Sequence, residues 1–515
     1  MNPTRSAGIG KGETNSPNSD KRAISYRGFG LAALSGVLLL LSFEPFGFWP
    51  LAWVALVPLL HAILDCKDSR SAADLAGVSG LVFYGLSLHW LVKVFGPMAA
   101  AFWCIFALWL VLPLMLWRHV ARDYQARDEV ERWEISGVLV PQPIQNPWLC
   151  VAAVGAFWAG TEYFRAEVWP LACPWLSLGF SQVPCKPILQ LSSLIGVYGL
   201  SALIVSANAA FSLALRGRRG PALAALIGLA GASAWGLGRM GDQALQSGEE
   251  LSVALVQDES YDLDRLAGLS MGPRVRDADL LVWPEYGFTV QAGQEKAYAS
   301  LAAKKLRHGK AVAVLGAATF PEEPRKGGMR NFAWVMAPGG RLLGSYDKLH
   351  PIPYIETHLK PNPRPEPVPT PLGLLGILIC YDLDFEDGAR RMAGLGARML
   401  AVPNLDPVEW KDWQHRQHSG MAPMRAVESG LWVARAASSG YSQVIDPAGR
   451  VRAVLPFGRS GVLLAKARLK AGGTPYTRAG WLLAPLCMMI SAISLAVWTL
   501  QGMGGRYAGI FALLS

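Results

Sequence analysis

The stretch "LLGILICYDLDFED", residues 374–387, decides how this chain is read. An aliphatic run with the character of a buried strand stops at Cys380, and an aromatic and a cluster of acids follow. A free cysteine is ordinarily a small buried hydrophobe, so Cys380 is either a core thiol or a nucleophile presented at the end of a sheet strand. The nucleophile reading needs partners elsewhere in the chain. Two occupy the same kind of position: Glu285 closes "LLVWPE" (280–285), and Lys348 sits in "YDKLHPIPYIE" (346–356), after an apparent hairpin turn "APGG" (337–340). In α/β sheets, active groups gather at strand ends, where loops build a site on a rigid base.

The three residue types fit one chemistry. A thiol attacks as thiolate, so Cys380 needs a base. Glu285 can take the proton if burial raises its pKa toward working pH. Attack on an acyl carbonyl creates an oxyanion, which the Lys348 ammonium and a backbone N–H after the nucleophile can stabilise. Met alone, each has a bland alternative: Glu285 can cap the segment after Pro284, and Lys348 can pair with Asp347 at the surface. All three in order within one α/β segment favour the chemical reading.

That segment runs over about 250–470. "LSVALVQ" (251–257), "AVAVLGAATF" (311–320), "NFAWVMAP" (331–338) and "ARMLAVPN" (397–404) read as short strands. "QEKAYASLAAKKLRHG" (294–309) and "EDGARRMAGLG" (386–396) read as helices between them, giving a sheet covered by helices. Near 434–455, "ARAASSGYSQVIDPAGRVRAVL" reads as strands joined by a Pro-Ala-Gly turn.

The rest of the chain has a different texture. Of 515 residues, 52% are hydrophobic and only 17% charged, with 19 Trp, a composition that excludes an ordinary soluble protein. Apolar runs at 28–43, 48–64, 73–94, 97–117, 149–166, 191–214 and 221–238, then 480–500, predict a polytopic helical bundle of about eight spans. Residues 1–27 read as a polar, disordered cytoplasmic tail, 28–240 as the bundle, 250–470 as the α/β domain, and 478–515 as a last helix and tail. The net charge is +10, and many of the basic residues sit in short segments before or between the apolar runs: Lys21, Arg22, Arg27, Lys67, Arg70, Arg118, Arg122, Arg127, Arg132 and "RGRRG" (216–220). That distribution marks cytoplasmic loops, not a nucleic-acid face, and it puts the α/β domain outside the cytoplasm. The seven Cys form no CxxC and no Cys/His set for zinc, so no metal is expected; Cys173 and Cys185 flank a loop and could pair.

"LLVWPE", "YDKLHPIPYIE" and "LICYD" resemble the three signatures of the carbon–nitrogen hydrolase (nitrilase) superfamily, whose triad is Glu, Lys and Cys. "LSFEPFGFWPLAWVALVPLL" (41–60), "FWAGTEYFRAE" (157–167), "CPWLSLGFSQ" (173–182), "GVYGLSALIVSANAA" (196–210) and "TPYTRAGW" (474–481) are similar to its membrane-embedded branch, the apolipoprotein N-acyltransferases. So are "QH" at 414–415, "RAVESG" (425–430) and "RAASSGYSQVIDPAGRV" (435–451). The resemblance implies an αββα sandwich on the periplasmic side of a bacterial inner membrane. It implies catalysis by Glu285, Lys348 and Cys380, with support from Glu356, Tyr381 and Asp382, and no cofactor. The implied reaction is ping-pong. Cys380 takes an acyl chain from a membrane phospholipid as a thioester, and the α-amino group of a diacylglyceryl-modified N-terminal cysteine on an apolipoprotein receives it. A monomer is expected.

The chain departs from the family pattern near the site. Asp382 stands where Glu is usual, one methylene shorter. "PYIE" (353–356) replaces "PFGE", losing a glycine; "NLDPVEW" (404–410) replaces "NDAWF"; and "DESYDLDRL" (258–266) follows "LVQ". Glu356 itself could be a solvated loop acid. These departures leave a second function open, a membrane-tethered amidase or nitrilase in which water resolves the acyl-enzyme, or transfer to a different amine. A non-enzymatic membrane scaffold is disfavoured by the intact Glu/Lys/Cys set.

Overall fold

Period-two alternation in the first strand decides which faces are buried against what. A computed structural model describes residues 26–125, 146–320, 329–359, 361–362 and 364–514; most of the expected tail at 1–27, with Arg127 and Arg132, lies outside the described residues. In strand β1 (Glu249–Gln257), Leu251, Val253 and Leu255 face one buried cluster while Ala254 and Val256 face another. The first cluster lies between two sheets, and the second lies under helices.

The first sheet holds β1, β2 (Leu280–Val282), β3 (Phe288–Gln291), β4 (Val312–Phe320), β5 (Arg330–Met336), β6 (Leu342–Asp347) and β13 (Gly461–Leu469), in the order β13-β1-β2-β4-β5-β6 with β3 also on β4. The second holds β7 (Val368–Thr370), β8 (Gly373–Ile377), β9 (Met399–Asn404), β10 (Val433–Ala437), β11 (Ser442–Ile445) and β12 (Val451–Leu455), in the order β12-β11-β10-β9-β8-β7. Both centres are parallel, β1–β2–β4 in one and β8–β9–β10 in the other. Val253, Val282 and Val314 of the first sheet share a buried cluster with Ile377 and Ala401, paired neighbours on one face of the second. Helices Leu263–Ser270 and Glu295–Leu306 cover the first sheet, and helices Glu386–Gly394 and Ala422–Ser429 pack against the second. The layers are αββα.

Before and after this sandwich lie apolar helices. Among the described residues, four stretches are long and apolar enough to cross a membrane: Leu91–Ala121, Ser192–Ala214, Gly220–Met240 and Gly480–Leu500. The helices Tyr26–Ser42, Ser69–Ser87 and Pro147–Tyr163 are shorter or less apolar. The run expected at 48–64 is a 3₁₀ turn, Trp49–Trp53, and then a helix, Val57–Asp65, with a proline in its first turn. The run expected at 73–94 starts earlier, because the Asp68 carboxylate accepts the Ser71 N–H and caps a helix from Ser69.

The helices and the sandwich share one packed interface. Met424 and Val427, on the layer over the second sheet, join the buried cluster of Val197, Leu200 and Phe180. Polar bonds cross it at several points: Trp175 Nε1 donates to Asp384 at 2.7 Å, Trp90 Nε1 to Gln417 at 3.0 Å, and Tyr381 Oη to the Ala172 carbonyl at 2.9 Å. The third of these holds the residue after Cys380, so the helical half touches the site directly.

Candidate active site

Strand β8 ends at Ile377, and three residues later Cys380 opens a 3₁₀ turn, Cys380–Asp384, with φ of 50°. A residue with a β-carbon seldom takes that conformation, and strained positions of this kind persist where the surroundings over-determine them. Asp382 supplies part of that constraint. Its Oδ2 accepts from the Ile379 N–H at 2.9 Å and the Tyr346 hydroxyl at 3.1 Å, and its Oδ1 accepts from the His350 N–H at 2.6 Å. The shorter acid therefore reaches its neighbours fully. It ties the cysteine turn to the segment that carries Lys348.

Lys348 follows β6 directly, and the expected hairpin precedes it, with Gly339 and Gly340 at positive φ between β5 and β6. The ammonium is 2% exposed and donates to Glu285 Oε1 and Glu356 Oε2, each at 2.8 Å. Its surface-pair alternative fails, because Asp347 pairs with Arg330 instead. Glu356 is no solvated acid: it is buried and also accepts from the Ile352 N–H and the Tyr286 hydroxyl, both at 2.8 Å. Asn331, on β5, bridges the two carboxylates, donating to Glu285 at 2.6 Å and Glu356 at 3.1 Å. Ile355, which stands where the family pattern has glycine, does not need glycine's conformational freedom, since Tyr354 and not Ile355 takes the positive φ, 66°.

Glu285 lies three residues past β2, at the carboxyl end of the parallel strands, and is 1% exposed. Leu405, just past β9, links it to the cysteine: its N–H donates to Glu285 Oε2 at 2.9 Å, and its carbonyl lies 3.6 Å from Cys380 Sγ. The electrostatics follow from burial and charge order. Burial pushes the Glu285 carboxyl up, Lys348 pulls it down, and the neighbouring Glu356 pushes it up again, for a net rise. Burial opposes the Lys348 charge, but two carboxylates overcome it and hold the ammonium protonated well above its usual range. Burial, then Glu285, push the Cys380 thiol well up, and Lys348 offsets only part. A resting thiol beside an elevated carboxylate and a fixed cation is the arrangement a general base needs.

On its other side Cys380 opens to an apolar pocket. Trp90, Phe102, Phe106, Trp109 and Trp169 of the helical half line it, with Tyr381, Ile352 and His418 from the sandwich. Cys173, also on its wall, is a free thiol, as is Cys185; the pairing that the sequence allowed is not formed. The main chain of each is engaged locally, Cys173 N–H on the Arg165 carbonyl at 3.3 Å and Cys185 N–H on Gln182 at 3.0 Å.

Comparison with known proteins agrees with this two-part construction. Residues 35–210 match the family model described as "Apolipoprotein N-acyltransferase N-terminal domain", and residues 246–474 match the one described as "Carbon-nitrogen hydrolase". A curated apolipoprotein N-acyltransferase of Geobacter metallireducens is 31% identical, the match covering 93% of this chain and 96% of that protein. The chain belongs to the apolipoprotein N-acyltransferase family. A second relative of that name, from Pseudomonas putida, is 27% identical over 89% of this chain and 95% of its own. Among solved structures, an amidase from Nesterenkonia sp. is 25% identical and covers 45% of this chain and 94% of its own, with a TM-score of 0.37.

The structure brings together Glu285, Lys348, Cys380, Glu356 and Asp382, while Tyr381 lines the pocket. The two divergent segments also meet, the Val408 N–H donating to Glu259 at 3.1 Å. Sequence reasoning missed Asn331, Tyr286 and the Leu405 main chain. It missed as well a buried set behind Leu405: Asp406, His418, Asp384 and Arg435. A hint for Asn331 lay in its place at the start of a strand-like run; the others come from separate elements with no common local pattern.

Proposed function

We propose that this enzyme moves an acyl chain from a membrane phospholipid, through a thioester on Cys380, to the α-amino group of the diacylglyceryl-modified N-terminal cysteine of apolipoproteins. One observation carries the reading: the Cys380 thiol stands between a buried Glu285–Lys348 pair and an apolar pocket walled by the helical half. A hydrolase of polar amides has no use for such a wall, whereas an acyl chain needs one.

The steps follow from the charges. Glu285 takes the Sγ proton as the sulfur attacks the ester carbonyl carbon. The oxyanion that forms is met by the Lys348 ammonium and the Tyr381 N–H. Collapse breaks the ester C–O bond, the Glu285 proton goes to the departing lysophospholipid oxygen, and the thioester remains. The acceptor amine then attacks the thioester carbonyl, gives a proton to Glu285 and expels the Cys380 thiolate, which is reprotonated. The thioester stores the acyl group without ATP, and the apolar wall keeps water from consuming it. Both substrates are lipid-anchored, which raises their effective concentration at a site beside the bilayer.

The same proposal reads about eight helices as spans, with the sandwich, near 250–470, on the periplasmic side of the inner membrane. Arg118 donates to Ser69 and the Cys66 carbonyl, and Arg216 to Asp65, so three basic loop regions share one end of the bundle. Arg118 lies sixteen residues along its helix from the pocket residue Phe102, roughly 24 Å away at 1.5 Å per residue. That separation supports a cytoplasmic basic end opposite the site.

Incubating the purified protein with phosphatidylethanolamine and a diacylglyceryl-cysteine peptide tests the reaction. The expected product is a peptide heavier by one acyl chain; free fatty acid with an unmodified peptide would instead assign a hydrolase. Glu356 gives a second test. Its charge helps raise Glu285, so Glu356→Gln lowers the Glu285 pKa and moves the acid limb of the rate to lower pH. Acyl-enzyme formation is expected to fall about 10- to 100-fold as Lys348 loses one of its two anchors.

A further inference from the structure

Behind Leu405 lies a buried charge cluster that the mechanism does not use. His418, on helix Lys411–Ser419, is 5% exposed and sits between two carboxylates, Asp406 at 2.6 Å from Nδ1 and Asp384 at 3.2 Å from Nε2. Asp384 ends the 3₁₀ turn that Cys380 begins, and Asp406 follows Leu405, which touches both Glu285 and Cys380. The imidazole thus bridges the nucleophile's own turn to the segment that holds the base. Its ring stacks on Trp175, whose indole N–H also donates to Asp384, and it lines the pocket beside Cys380.

We infer that His418, as an imidazolium gripping Asp384 and Asp406, is a positioning residue that fixes Cys380 and Glu285 relative to one another for acyl-enzyme formation. The charge count supports a cation here. Asp406 also accepts from Arg435, on β10, at 2.8 Å, and the same Arg435 nitrogen faces His418 Nδ1 at 3.2 Å, a cation that the two carboxylates outweigh. On helix Ala422–Ser429, Arg425 pairs with Glu428 and donates to the Asp384 carbonyl. From its own helix, His415 Nε2 lies 3.1 Å from the Asp406 carbonyl. Two carboxylates, Arg435 and a protonated His418 sum to zero; a neutral imidazole would leave one buried negative charge unbalanced. Burial opposes protonation, but Asp384 and Asp406 overcome it and raise the His418 pKa to about 9. The cation therefore persists below that pH and is lost above it, when Asp384 and Asp406 are left to repel and the Leu405 segment loosens.

This inference rests on the acyl-enzyme reading, and one experiment separates the two. Full-length wild type and His418→Gln, in phosphatidylethanolamine nanodiscs, are given a phospholipid with a fluorescent acyl chain, and hydroxylamine-sensitive label on the protein is timed across pH. Near neutral pH, His418→Gln is expected to label about 10- to 100-fold more slowly, with the phospholipid KM changed by less than about threefold. The wild-type rate falls above about pH 9, and the variant, with nothing there to titrate, does not follow that fall. Should His418→Gln not fold, Asp384→Asn/His418→Gln, which removes a buried carboxylate with the cation, is expected to give the same slow, flat profile. Wild-type labelling rates in the variant, or slow labelling that keeps the wild-type alkaline fall, would overturn the role of His418 alone. No labelling of wild type would overturn the acyl-enzyme.

Discussion

Cys380→Ala is expected to form no acyl-enzyme and transfer no acyl chain, a loss of roughly 10⁴-fold or more, as when a covalent nucleophile is deleted. Neither charged partner can replace the sulfur. Glu285 is engaged by Lys348, Asn331 and the Leu405 N–H, and Lys348 is held between two carboxylates. Cys380→Ser is expected to leave at most a trace, because a hydroxyl gives up its proton far less readily than a thiol to a base tuned for the thiol. The fold should survive both changes. The turn at Cys380 is held by Asp382 and by the Tyr381–Ala172 bond, neither of which uses the sulfur. The checks are fluorescent-phospholipid labelling for the chemistry and a thermal unfolding scan for the fold. Full transfer by a folded Cys380→Ala protein would remove Cys380 from the mechanism.

The position of Cys380 was legible because a strand end is a local event: an aliphatic run stops and a polar turn begins. Glu285 and Lys348 were legible for the same reason, each closing its own run. Glu356 was half-legible, since a loop acid looks alike whether solvated or buried, and only the fold puts its Oε2 2.8 Å from Lys348. The Asp384–His418–Asp406–Arg435 set was not legible. Its members come from a 3₁₀ turn, a helix, a loop and a strand, and no spacing rule joins them. The apolar runs announced the helices but not their breaks, because a proline or an Asp cap shifts a boundary without changing the hydropathy around it. The free Cys173 and Cys185 illustrate the same limit: pairing depends on where the main chain holds each thiol, which sequence spacing does not fix.

Lys348→Met should damage both chemistry and fold, and the two effects can be separated. The ammonium is the cation both Glu285 and Glu356 bond to, so its removal leaves two buried carboxylates facing one another. Breaking a buried ion pair from one side costs about 3–5 kcal/mol. Proton uptake by Glu285, already pushed up by burial, relieves part of that repulsion. A protonated Glu285 is no base, and the oxyanion has lost its cation, so labelling is expected to fall on the order of 10³-fold. Adding Glu356→Gln removes the repulsion: the double variant should regain thermal stability and stay inactive, because neither change restores a charge opposite the oxyanion. Lys348→Arg should be stable for the converse reason, its planar fork able to bond both carboxylates, yet slow, because that geometry turns its donors away from the reacting carbonyl. A Lys348→Met/Glu356→Gln protein labelled at the wild-type rate would mean that Lys348 serves folding alone and that the oxyanion is stabilised by backbone donors.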